Sequence, residues 1–188
     1  EKLVAFGKKH SIVICHDNPY SFILNDKPLS ILQIEGAKDI CIELNSMSNS
    51  HNMAGWRMGM LASNKKFVGW VVKVKSNIDC GQFKPKQLAT IVALDTPMQW
   101  HDNMNLLYEQ RRLWVYKILS IMGCTYSTNQ VGFFVWAKIP DHEKSSKDLV
   151  NDLFYKARVF VTPGFIYGSN GDRYIRMSLG SSASNIKE

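Results

Sequence analysis

The residues best suited to chemistry lie in segment 46–57, which reads Ser-Met-Ser-Asn-Ser-His-Asn-Met-Ala-Gly-Trp-Arg. Ser46 offers a hydroxyl and Arg57 a guanidinium. Together they suit a dianion, because arginine forms forked, charge-assisted hydrogen bonds. A second polar group, Asp17 and Tyr20, stands in an Asp-x-x-Tyr pattern directly after an apolar run. The sequence therefore predicts an anion site and a carboxylate that follows a strand.

The elements that must position these residues follow an α/β pattern. Three apolar runs predict strands, and the first of them is typical of a buried parallel strand. In open α/β sheets, ligands bind beyond the carboxyl ends of such strands, which is where both polar groups lie. The predicted strands are 11–16, 40–44 and 57–62.

The rest of the chain alternates between helical and strand-like patterns. A helical pattern covers 66–94 with a break near Gly81, and a long helix is predicted from about Gln99 to Met122. Ser145 opens a capping box that predicts a helix to about Lys156. The apolar face predicted for the long helix comprises Leu107, Trp114, Ile118 and Ile121. The strands predicted in the last third are 132–140, 159–161 and 174–178.

Segment 46–57 resembles the active-site segment of the pyridoxal-phosphate-dependent aminotransferases of class I/II, which have fold type I. That family's pattern is S-x-S-K-x-x-N-x-x-G-x-R. The matching residues are Ser46, Ser48, Asn52, Gly55 and Arg57, followed by Gly59. The match has no gaps, and the Asp-x-x-Tyr pattern precedes it in the family's order. The resemblance implies pyridoxal 5'-phosphate as the cofactor.

The resemblance implies a role for each matching residue. Asp17 would pair with the protonated pyridine nitrogen, and Tyr20 would donate a hydrogen bond to the phenolic oxygen of the cofactor. Ser46, Ser48 and Arg57 would bind around the phosphate. A final residue, Arg176 in the strand 174–178, is the family's arginine for the substrate α-carboxylate, where a bidentate contact orients the substrate.

Asn49 departs from the family at the position of the Schiff-base lysine. An amide nitrogen is neither a nucleophile nor a base near neutral pH, because its lone pair is delocalised into the carbonyl. A lost general base alone costs about 10²–10⁴ in rate, and loss of the covalent step adds to that. The chain is therefore expected to be inactive. Asn49 is explained either by a degenerate homologue or by a substitution made to trap a complex.

The resemblance also implies the fold and its division. We expect part of the fold-type I architecture: residues 1–98 form the later part of a mostly parallel large-domain sheet, and residues 99–188 form the linking helix and a small α/β domain. The family's first-half motifs do not occur in this sequence, so we interpret it as a fragment. Missing sheet neighbours would expose apolar strand surface, and an isolated chain would then be unstable.

Composition limits the possible partners. The net charge of +7 comes from dispersed basic residues, which argues against a nucleic-acid partner. No run of about 18 apolar residues suggests a membrane span, and no histidine or cysteine spacing suggests a metal site. The four cysteines are expected to be buried free thiols in a reducing cytoplasm.

Three functions remain open on the sequence. The first is an amino-acid aminotransferase that acts on an amino acid and a 2-oxo acid and forms a homodimer, as the family usually does. The second is a non-catalytic binding or regulatory homologue that keeps the fold. The third is another enzyme of the same fold, such as a β-lyase or a decarboxylating synthase. These enzymes also need the lysine, so Asn49 argues equally against them.

Overall fold

The computed structural model describes residues 1–187 and divides the chain into two compact units, Glu1–His101 and the residues from Asp102 onward. Each unit contains its own β-sheet. The elements of the first unit are α1 (Lys2–His10), β1 (Ile14–Asp17), β2 (Cys41–Ser46), α2 (Met47–Ser50), β3 (Gly59–Ala62), α3 (Lys65–Ile78) and α4 (Lys84–Leu94). Helix α5 (Met98–Ile121) contains the boundary between the units.

The sheet of the first unit has the order β1-β2-β3. Strand β1 pairs with β2 in parallel, and β2 pairs with β3 in antiparallel fashion. The three predicted strands are therefore neighbours, as expected, although each begins or ends a few residues from its predicted limit. Strand β1 starts only at Ile14, and the preceding Ile12 and Val13 are about half exposed instead of buried.

Local sequence explains the helices of this unit. Asn64 caps α3 by accepting a hydrogen bond from the Phe67 N–H at 3.0 Å. Proline in the first turn of α4 restarts the helix after the break near Gly81, as predicted. Val4, Ile31, Ala37 and Cys41 form a small buried core under α1 and β2. Large exposed apolar side chains of α3 and α4 include Trp70, Val72, Val74, Ile78, Ile91, Val92 and Leu94.

The second unit is an antiparallel sheet with helices. Its elements are β4 (Thr125–Tyr126), β5 (Phe134–Lys138), α6 (Ser146–Asp152) continued by a π-helical turn at Leu153–Ala157, β6 (Thr162–Pro163), β7 (Tyr174–Ser178) and α7 (Ala183–Lys187). The sheet order is β4-β5-β7-β6. Ser145 caps α6 by accepting a hydrogen bond from the Asp148 N–H at 3.1 Å, and its hydroxyl donates to the Asp148 carboxylate at 2.7 Å, so the predicted start of the helix is confirmed.

Two predictions for this half of the chain are wrong in detail. Residues 159–161 do not form a strand, and β6 is instead the short segment that follows them. The apolar face of α5 is also displaced, because the buried stripe is Tyr108, Val115 and Leu119, whereas Ile121 is 78% exposed. The strand predicted at 174–178 coincides with β7.

Two further observations concern the chain as a whole. Within residues 1–187, no helix is long and apolar enough to cross a membrane. All four cysteines are free thiols, but only Cys41 and Cys124 are buried, and Cys15 and Cys80 are exposed. The prediction that all four are buried is therefore wrong for two of them.

A tight backbone crossing shapes the loop before β7. A Cβ atom on Gly164 would lie 2.3 Å from the carbonyl oxygen of Gly171 and 2.6 Å from that of Tyr174. We expect Gly164→Ala to lower the free energy of unfolding by about 2 kcal/mol, because two backbones must separate. Urea unfolding measures this change. The matched Gly69→Ala substitution, in open space on α3, should instead be neutral or stabilising. Equal stability of both variants would contradict the crossing.

Candidate active site

The polar residues predicted for the site meet at one end of the first sheet. Parallel pairing brings the carboxyl ends of β1 and β2 side by side, with Asp17 opposite Leu44. Ser46 lies two residues beyond Leu44, so strand spacing places the Cα atoms of Asp17 and Ser46 about 8 Å apart. The Asp17 side chain is exposed, and Tyr20 is half-buried in the turn that follows. This edge is where α/β sheets bind ligands.

The segment between β2 and β3 forms a closed loop, residues 47–58. Its ends are joined because the Met47 N–H donates to the Met58 carbonyl at 3.1 Å, next to the paired residues Ser46 and Gly59. This closure brings Arg57 close to Ser46 along the strands, although the two are eleven residues apart in sequence. The loop therefore presents a hydroxyl and a guanidinium at the sheet end.

Hydrogen bonds within the loop fix its first turn. The Ser46 hydroxyl caps α2 by accepting from the Ser48 N–H at 3.1 Å. The Ser50 hydroxyl donates to the Ser46 carbonyl at 2.9 Å and lies 2.8 Å from His51 Nδ1. The arrangement leaves Asn49 half-buried in the middle of α2, at the centre of the predicted site.

The loop contains two residues in the left-handed backbone region. Asn52 has φ 53° and Arg57 has φ 54°, and neither is glycine. Such conformations cost about 1 kcal/mol or more each and persist where surrounding structure enforces them, often at functional sites. Arg57 is exposed and donates from NH1 to the Ala54 carbonyl at 3.0 Å. Gly55 has open space where a Cβ would stand, so the chain's own packing does not require glycine there.

Glu43 was missed by the sequence analysis and holds the region behind Asp17. It is 8% exposed on β2. Its Oε2 accepts hydrogen bonds from the Ser30 hydroxyl at 2.7 Å, the Ile31 N–H at 2.9 Å and His16 Nδ1 at 3.3 Å. Glu43 thereby ties β1 and the loop after it to β2. The sequence did contain a signal for this role, because Glu43 is the one charged residue within the apolar run 40–44.

The pKa of Glu43 reflects two opposing effects. Burial raises the pKa of the carboxyl, but the hydrogen bonds from Ser30, His16, Ile31 and Asn18 together outweigh burial and hold the pKa below its ordinary value. Glu43 is therefore a carboxylate at neutral pH, and its charge is stabilised by donors from the neighbouring loop and strand.

An aromatic cluster lies beside the loop. The His51 ring contacts the Trp100 ring with centroids 6.0 Å apart and the His101 ring at 4.9 Å, and Phe22 contacts His101 at 5.7 Å. Burial, and then the charge of His101, lowers the pKa of His51. His51 is therefore neutral at pH 7, so it adds no positive charge beside Asn49.

Arg176 lies in the second unit, on β7, opposite Trp136 of β5 and Thr162 of β6. Its guanidinium carbon lies 4.0 Å from the centre of the Phe134 ring and 4.7 Å from that of the Tyr167 ring. Its Nε is buried without a hydrogen-bond partner among the described residues. The structure thus places Asp17, Tyr20, Ser46, Ser48 and Arg57 at or just beyond one end of the first sheet, and Arg176 in the second unit.

Comparison with known proteins assigns the family. The sequence profile described as "Aminotransferase class I and II" matches residues 1–188. The LL-diaminopimelate aminotransferase of Nitratidesulfovibrio vulgaris (strain DSM 19637 / Miyazaki F) is 38% identical over 100% of this chain and 49% of its own length. That of Aquifex aeolicus is 39% identical over 95% of this chain and 46% of its own length. The chain therefore belongs to the class I and II aminotransferases.

Solved structures agree with this assignment. The structure of apo-BacF from Bacillus subtilis has a TM-score of 0.91 at 33% identity and covers 99% of this chain and 48% of its own. An aromatic aminotransferase from Pyrococcus horikoshii has a TM-score of 0.91 at 27% identity, over 99% of this chain and 51% of its own. The predicted α/β fold of fold type I is confirmed, and the chain spans about half the length of the relatives it matches.

The family uses pyridoxal 5'-phosphate, and the residues of this chain fit part of that group. The exposed Asp17 carboxylate suits a protonated ring nitrogen, and Ser46 and Arg57 suit a phosphate. The left-handed backbone at Arg57 and the open space at Gly55 are unexplained by the chain's own packing and fit a ligand beside the loop. Asn49 does not fit covalent attachment, because an amide is not nucleophilic.

Proposed function

We propose that this chain is the later half of an amino-acid aminotransferase that transfers an amino group to a 2-oxo acid, and that Asn49 leaves it inactive. The observation that supports the proposal is the strand register, which places Asp17 and Ser46 at one end of the first sheet, together with the loop closure that returns the chain near Arg57 to Ser46. The substrate class follows from the relatives named above, which are described as aminotransferases of LL-diaminopimelate.

Each residue has a defined task in this proposal. When bound, the cofactor supplies an electron sink for the substrate carbon. Asp17 and Tyr20 hold its ring, and Ser46, Ser48 and Arg57 hold its phosphate. Arg176 orients the substrate through its α-carboxylate. The Asn49 side chain neither holds the cofactor covalently nor takes a proton. The chain therefore binds the cofactor but does not turn over substrate.

Asn49 also favours a second candidate, a non-catalytic homologue that retains the fold and binds the cofactor or a related anion. The identity of residue 49 in the parent gene discriminates between the two candidates: lysine would indicate an enzyme that was altered to asparagine, and asparagine would favour the non-catalytic homologue. We propose in either case a homodimer in the cytoplasm, as for the family in general, with residues 1–98 and 99–188 belonging to its large and small domains.

Cofactor binding tests the anion site directly. We suggest a hybrid enzyme in which the first half of the Nitratidesulfovibrio vulgaris relative precedes this chain. Pyridoxal phosphate binding to the hybrid, measured by equilibrium dialysis, should weaken about tenfold or more on Arg57→Ala, because a charge-assisted hydrogen bond is lost. Arg158→Ala removes another exposed arginine with left-handed backbone and should leave binding unchanged. Equal effects of both substitutions would remove the support for Arg57.

A further inference from the structure

The surroundings of Arg176 contain a feature that the family assignment does not explain. Two aromatic rings face its guanidinium, Phe134 at 4.0 Å and Tyr167 at 4.7 Å from ring centre to Cζ. Both distances lie well inside the range of about 6 Å over which a ring attracts a cation. We call Phe134 and Tyr167 the aromatic clamp.

The fold fixes both rings. Phe134 and Arg176 project from neighbouring strands on one face of the sheet, because Trp136 is directly opposite Arg176 and Phe134 lies two residues along β5. Tyr167 comes from the turn that the Gly164–Gly171 crossing holds in place. The Trp136 ring contacts Tyr167 with centroids 5.8 Å apart and supports it from the side.

The charge of Arg176 has no anion of its own in the described part of the chain. Its Nε is buried without an acceptor, and no carboxylate of residues 1–187 forms an ion pair with it. Arg173, three residues earlier, contrasts with it, because its guanidinium donates to the carbonyls of Pro140 and Lys144. Aromatic faces attract a cation without accepting its hydrogen bonds as a carbonyl would. The N–H groups of the Arg176 guanidinium therefore remain available to bind a carboxylate.

We propose that Phe134 and Tyr167 are positioning residues that hold the Arg176 guanidinium for the carboxylate of the substrate. Rings that fix the guanidinium before binding reduce the conformational entropy lost when the carboxylate arrives. They also exclude water from one side of the cation, which strengthens the ion pair. This inference rests on the role that the proposed function gives to Arg176.

The clamp can be tested without a ligand. In the hybrid enzyme labelled with ¹⁵N-arginine, the Arg176 Nε–H should be visible at neutral pH because it is buried, and its proton should be shifted upfield by the rings. Phe134→Met keeps the volume but removes the ring face, and should return the resonance toward the ordinary arginine position. An unshifted Arg176 resonance in the parent chain would overturn the clamp.

Titration with 2-oxoglutarate, followed by isothermal titration calorimetry so that Arg176→Gln can be measured too, tests the consequence. Phe134→Met and Tyr167→Leu should each weaken binding by about tenfold, and Tyr167→Phe should bind as the parent does, because it keeps the ring. Tyr155→Leu removes an exposed aromatic of the same unit that does not face Arg176, and should have no effect.

The outcomes separate the clamp from the proposed function. If Arg176→Gln abolishes carboxylate binding while Phe134→Met and Tyr167→Leu do not change it, the role of Arg176 stands and the clamp is wrong. If Arg176→Gln leaves binding unchanged, the carboxylate binds elsewhere and the substrate role of Arg176 fails, whatever the ring shift of the free chain.

Discussion

Asn49→Lys in the hybrid enzyme should raise the rate of amino transfer from LL-diaminopimelate to 2-oxoglutarate by at least about 10²–10⁴-fold, the usual contribution of a positioned general base. Lysine restores both a nucleophilic amine and a base at the centre of the loop. The rate is measured by glutamate formation. The parent hybrid, with Asn49, should bind pyridoxal phosphate but show no turnover above background.

Two controls make this prediction specific. Met60→Lys adds the same amine on exposed strand β3, outside the loop, and should not create activity. Borohydride reduction followed by peptide mapping should find the cofactor attached at position 49 in the lysine variant and unattached in the parent. Equal rates for both hybrids would show that position 49 is not the lesion. If neither hybrid binds the cofactor, the assignments of Asp17, Ser46 and Arg57 are wrong.

The second large effect is on stability. Glu43→Ala should lower the free energy of unfolding by about 3 kcal/mol, because the half-buried Ser30 hydroxyl and the buried Ile31 N–H lose a charged acceptor together. Urea unfolding of the hybrid enzyme measures the change. Glu35→Ala removes an exposed glutamate nearby and should change stability by less than about 0.5 kcal/mol. Similar losses from both substitutions would contradict the anchoring role of Glu43.

The lowered pKa of Glu43 adds a pH dependence to this prediction. The unfolded carboxyl titrates near its ordinary value of 4.5, and the folded one titrates below it. The contribution of Glu43 to stability is therefore fully present above the unfolded pKa and is lost as the pH falls through the folded pKa. Glu43→Gln cannot titrate, so its stability should fall less steeply than the parent's below about pH 5. Parallel curves for the two proteins would exclude Glu43 as a source of acid sensitivity.

The sequence was most informative where a short, local pattern of residues is typical of one structure. The order of Ser46, Asn52, Gly55 and Arg57 indicated the family, and apolar runs predicted the three neighbouring strands. Capping at Ser145 and the break near Gly81 were also recognisable, because their signals are local. Such features depend on a few neighbouring residues and not on the rest of the fold.

Features that depend on long-range contacts were missed. Apolar residues occur all around α5, so periodicity could not select the stripe of Tyr108, Val115 and Leu119 over its neighbours. The apolar residues 159–161 resemble a strand, but pairing with β7 begins only at Thr162. The contacts of Phe134 and Tyr167 with Arg176 join residues up to 42 positions apart, which no local pattern reveals.

The closed loop 47–58 has a consequence for how such a chain can change over time. The Met47–Met58 bond, the Ser46 cap and the Ser50 hydroxyl bond hold the loop, and none of them uses the side chain of residue 49. We therefore expect exchange of lysine for asparagine at this position to remove catalysis without opening the loop. A gene that carries the exchange would encode a loop that closes as in an active relative, so selection against misfolding alone would not remove it.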